Sequence, residues 1–109
     1  MPVNSEGATI EGIGTLRYTL GAAKSINANF GDFTTAYNRV GKVDFSAIVS
    51  VVAAGLGKDA EKVEDRVFKA GPVKIAGEVS QFLAWLSNGG RDPSIKPPTQ
   101  DEEPDSKNE

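Results

Sequence analysis

The sequence predicts a mainly α domain of the α+β class: a short N-terminal β-hairpin, then about five short helices, then a disordered acidic tail. Three observations predict it. Thr9, Ile10, Tyr18 and Thr19, which favour strands, surround the turn-forming Gly12 and Gly14. From residue 19 onward, apolar residues recur at three- and four-residue spacing between Thr or Asp starts and Gly stops. From Arg91 the glycines vanish, and four of the six prolines fall in the remaining stretch. The expected division is a flexible N-terminus over 1–7, a domain over 8–90 and a tail over 91–109.

The elements follow in order. Strands over roughly 8–12 and 14–18 form the hairpin, turning near Gly12–Gly14. Thr19 caps a first helix with Leu20, Ala23, Ile26 or Asn27, and Phe30 on one face, and Gly31 ends it. Asp32 opens a second helix from Phe33 to Val40, with Phe33, Ala36, Tyr37 and Val40 apolar, and Gly41 stops it. Asp44 caps a third helix through Phe45, Ile48, Val49, Val51, Val52 and Leu56. Its β-branched run also suits a strand. The flanking Ala47, Ala53 and Ala54 and the lack of alternation favour helix, with Gly55 and Gly57 ending it.

Asp59 opens a fourth helix, Ala60 to Ala70, with Val63, Val67 and Phe68 inward and a charged outer face. Pro72 suits the first turn of a fifth helix over about 73–88. Its apolar set is Val73, Ile75, Ala76, Val79, Phe82, Leu83 and Leu86, and Gly89–Gly90 terminates it. Ile95 is the one aliphatic residue beyond Arg91, too little to offset ordering entropy.

Charge divides along the same boundary. Residues 1–90 carry nine basic and nine acidic side chains, and residues 91–109 carry three and six, so the whole net charge of −3 lies in the tail. A neutral domain lacks the clustered cations that nucleic-acid binding requires. Cys and His are absent. That excludes disulfides, the usual zinc sites, Cys nucleophiles and His-based acid–base chemistry. No apolar run reaches membrane-spanning length, and the start lacks signal-peptide regions, so a cytoplasmic protein is expected.

Motifs that suggest chemistry fail on inspection. Gly12-Ile13-Gly14 begins like a dinucleotide fingerprint, but Arg17 stands where its third glycine belongs. Gly55-Leu56-Gly57-Lys58 resembles the end of a phosphate loop, but Val52 and Asp59 break both ends of that motif. Glu61, Glu64 and Asp65 sit among Lys58, Lys62, Arg66 and Lys69 at spacings that suit surface ion pairs. No enzyme activity, cofactor or metal is expected.

The run Thr15-Leu16-Arg17-Tyr18-Thr19-Leu20-Gly21-Ala22, followed by Ile26 and Phe30-Gly31, resembles small phage and prophage tail assembly proteins. The group is that of gene transfer agents and related siphophage tails, described as tail assembly chaperones or tail tube proteins. Val51 to Gly57 and the amphipathic stretch Val73 to Ser87 extend the resemblance over about residues 8–88. Tyr37-Asn38-Arg39 is more polar than the Leu-rich segment of the pattern.

The resemblance implies a chaperone that binds the long tape-measure protein while the tail tube polymerises, and that is absent from the mature particle. It also implies that a frameshifted, C-terminally extended form would begin near Arg91. The alternative is a structural tail protein, a tube or completion component, located in the virion. A weaker alternative is a small DNA-binding regulator, since short helices joined by Gly turns permit a helix-turn-helix.

Candidate partner-binding residues are Val49, Val52, Phe82, Trp85 and Leu86, on the third and fifth helices. Trp85 lies to one side of the apolar stripe, where it either covers the core edge or anchors a partner; core edge is favoured. Ile10, Ile13, Leu16 and Tyr18 are candidates for a homo-oligomer edge on the hairpin.

Overall fold

In the computed structural model, which describes Val3–Asn4 and residues 7–93, an antiparallel sheet leads into five helices. Strands β1 (Val3–Asn4), β2 (Gly7–Ile10) and β3 (Gly14–Arg17) are ordered β1-β2-β3. Ala8 faces Leu16 and Thr9 faces Thr15 across the hairpin. This register puts Ala8, Ile10 and Leu16 on the buried face. The Thr9 and Thr15 hydroxyls meet at 3.0 Å on the other face, a cross-strand pair that fixes the register. The Ile13 N–H closes the turn on the Ile10 carbonyl at 3.0 Å.

Within the stretch expected to be flexible, 1–7, Val3 pairs with Ala8 and Asn4 with Gly7, and residues 1, 2, 5 and 6 lie outside the described residues. A two-residue strand has no alternation to detect; it forms because β2 offers an open edge. The expected tail from residue 94 onward lies outside the described residues.

The helices are α1 (Leu20–Phe30), α2 (Phe33–Gly41), α3 (Phe45–Leu56), α4 (Ala60–Ala70) and α5 (Pro72–Ser87). Three starts are capped as the sequence predicts. Thr19 Oγ1 accepts from the Ala22 N–H at 3.0 Å, Asp32 from Thr35 at 2.6 Å and Asp44 from Ala47 at 3.3 Å. Asp59 begins α4 without a side-chain cap bond.

Helix α3 is the centre. It touches α1, α2, α4, α5 and β3, and it buries Ala47, Ile48, Val49, Val51, Val52, Ala53 and Gly55. A helix enclosed on every side can be apolar all round, so the β-branched run is at home in it. Gly55 lies inside α3 rather than ending it, and Gly57 is the left-handed cap. A Cβ on Gly55 would fall 2.7 Å from Leu16 Cβ and 3.1 Å from Phe82 Cζ. Glycine there lets the sheet and α5 close on α3.

Several expected inward residues face water. Leu20 is 75 % exposed, Phe68 70 % and Val73 79 %; Tyr37 and Phe45 are also exposed. The α1 stripe runs through Ala22 and Ile26, and Leu20 lies off it. In α4, Val63 and Val67 make the buried line, and Phe68 sits one residue, about 100° of helix, away.

Candidate functional site

The candidate partner-binding set splits in two. Val49, Val52, Phe82 and Leu86 are buried in the core, which corrects their assignment to a contact surface. Each such side chain contributes about 1.5–3 kcal/mol through burial, so presenting it to a partner would dismantle the fold. Trp85 is half-buried. The oligomer-edge set is corrected in the same way: Ile10, Ile13 and Leu16 are buried and Tyr18 is half-buried. Their side chains point into the domain because α3 and α5 pack on the sheet.

The structure does join three of these residues. The Tyr18 ring stacks on Phe82 at 5.5 Å between centroids and on Trp85 at 5.8 Å, with interplanar angles of 15° and 17°. Tyr18 stands between β3 and the α1 cap, and the other two lie one turn apart on α5. Offset ring pairs add modest energy beyond area burial. The Tyr18 hydroxyl is shielded from solvent and has no hydrogen-bond partner among the described residues. Burial pushes its pKa up to about 12.

A polar clasp joins α2 to the start of α3. Arg39 Nε donates to Asp44 Oδ2 at 2.8 Å, and Arg39 Nη2 lies 2.8 Å from the same oxygen. The guanidinium also sits 5.3 Å from the centroid of the Phe30 ring. It therefore links the end of α1, the last turn of α2 and the cap of α3. The Arg39 hydrogen bond first, then the Ala47 N–H, hold the Asp44 carboxyl below its usual range. Val43, between α2 and α3, takes φ 60°, a strained value for a β-branched residue.

Two grooves mark the surface. One of about 560 Å³ lies between α1, α3 and the α3–α4 connection, lined by Thr19, Ser25, Asn29, Ser50, Lys58 and Asp59 among others. A smaller one of about 210 Å³ between α2 and α5 is bordered by Phe33, Thr34, Tyr37, Leu83, Ala84 and Ser87. The described residues contain no cluster of three or more Asp or Glu able to hold a metal. No helix among them is long and apolar enough to cross a membrane.

Sequence reasoning missed the exposed apolar group of Leu20, Tyr37, Phe45, Phe68 and Val73. A stricter helical wheel would have found Phe68, because Val63 and Val67 already define the stripe. Val73 lies off the buried line of α5, which begins at Ile75 and Ala76.

Compared with family models, curated proteins and solved structures, the chain matches none.

Proposed function

We propose that this chain is a phage tail assembly chaperone. It binds the tape-measure protein by protein–protein contact during tail morphogenesis, in the cytoplasm of a bacterial host. The observation that carries the reading is the set of large apolar side chains outside an already closed core, above all Leu20, Phe68 and Val73. Phe68 and Val73 flank the Gly71–Pro72 corner between α4 and α5. Tyr37 borders the α2–α5 groove, whose volume would admit one aliphatic side chain. Apolar side chains that the fold does not use suit an apolar helical client. The resemblance over residues 8–88 supplies the client's class.

Co-expression with a phage tape-measure protein tests this. The expected result is a larger soluble fraction of that protein and its co-purification with this chain. Phe68→Glu with Val73→Glu should abolish both effects and leave the melting temperature near that of the parent. No gain in solubility and no co-purification would overturn the proposal. Stoichiometric amounts of the chain in purified particles would instead establish a structural tail component.

A further inference from the structure

The chain leaves α5 beside the apolar groove between α2 and α5. That groove lies between the first turn of α2 and the last turn of α5. Phe33 and Tyr37, one helical turn apart, form one wall, and Leu83, Ala84 and Ser87 form the other. Among the described residues, none lining it is charged, and Tyr37 remains exposed. At the end of α5, Asn88 Nδ2 donates to the Arg91 carbonyl at 3.2 Å. Ala84 stands one turn before Asn88 on the same helix face, about 6 Å back. Ile95, the one aliphatic residue in 94–109, comes four residues after Arg91, and a stretch of that length reaches up to about 13 Å. Pro97 and Pro98 follow after Lys96.

We propose that residues 94–98 fold back onto this groove, with Ile95 filling the notch between Tyr37 and Ala84. Proline favours the extended polyproline conformation at its own position and at the one before it. Residues three apart share a ridge of that helix, so Ile95 and Pro98 meet the groove together. Pro-rich segments dock on aromatic-lined grooves in this way because they have little backbone entropy left to lose. Charge points in the same direction. With the first turn of α2 beside the last turn of α5, α2 packs on α5 only by running antiparallel to it. Lys42, after α2, and Lys74, in the first turn of α5, therefore lie toward the far end of the groove. The acidic run Asp101-Glu102-Glu103 begins six residues after Ile95. That is about 19 Å of polyproline helix, against about 15 Å along α5 from Ala84 to Lys74. The tether supplies a high effective concentration, so a weak contact suffices. The contact forms within one chain and needs no client.

The chain has no cysteine, so Thr99→Cys places a single nitroxide label four residues beyond Ile95. In the full chain the label should broaden the amides of Thr34, Tyr37, Ala84 and Ser87 more than those around Phe68 on α4. Ile95→Ser leaves the sequence of the helical domain intact. It should weaken the docking equilibrium at least about tenfold and reduce the groove broadening to the level seen around Phe68. Tyr37→Ser should do the same from the groove side, with a melting temperature near that of the parent, because Tyr37 is exposed. Stronger broadening around Phe68 than along the groove overturns the proposal. So does groove broadening that survives Ile95→Ser. If Tyr37→Ser lowers the melting temperature, the Ile95→Ser comparison alone decides.

Discussion

Helices α3 and α4 are of similar length and adjacent in sequence, yet they hold opposite places in the molecule. Helix α3 is enclosed by four helices and a strand and has almost no polar face. Helix α4 buries Val63 and Val67 and otherwise carries charge, including the Asp65–Lys69 pair at 3.1 Å. That pair is well exposed on both sides and adds little. One helix therefore organises the core, and the other covers it. A cover has freedom to display an apolar residue such as Phe68, because its own stability depends on only a narrow stripe.

The largest effect should come from the centre. Ile48→Ala removes a fully buried side chain and should cost about 2–5 kcal/mol, read by denaturant unfolding. An unchanged midpoint would remove α3 from the centre of the core. Gly55→Ala should cost about 1–3 kcal/mol by overpacking against Leu16 and Phe82, and a stabilised variant would show that the sheet and α5 have room to move.

The helix starts offer the next contrast. Asp44→Ala should lower the melting temperature more than Asp59→Ala, since only Asp44 holds a side-chain cap bond and the Arg39 pair. Asp44 has a folded-state pKa below its ordinary 3.8. Its contribution is thus fully present above 3.8 and is lost as pH falls through the lowered value. The gap between wild type and Asp44→Asn should be full at neutral pH and close in acid. A gap independent of pH would assign the effect to geometry rather than charge.

The smallest effect is expected on the cover. Phe68→Ala should shift stability by no more than about 0.5 kcal/mol, whereas its neighbour Val67→Ala should be clearly destabilised. Equal losses at both positions would mean that Phe68 is covered in solution.

Local chemistry made much of this fold legible. Thr19, Asp32 and Asp44 announced helix starts because a short polar side chain satisfies an otherwise orphan N–H, and that bond needs no distant partner. Gly31, Gly57 and Gly71 announced the ends. The candidate contact residues were less legible for a related reason. Val52 and Phe82 are apolar whether they meet the core or a client, and sequence spacing names a face without naming what lies against it.

The sequence by itself determined the order of the hairpin and five helices, the caps at Thr19, Asp32 and Asp44, the neutral charge of the domain and the absence of thiol and imidazole chemistry. These rest on residue identity and on interactions within a few positions. Only the tertiary structure decided that Val3–Asn4 joins the sheet, that Gly55 is a contact point, that Phe68 and Val73 stay outside, and that Tyr18 stacks on Phe82 and Trp85. Each of those depends on which surfaces meet across long stretches of chain. Such meetings are selected by the packing of the whole core rather than by any local preference.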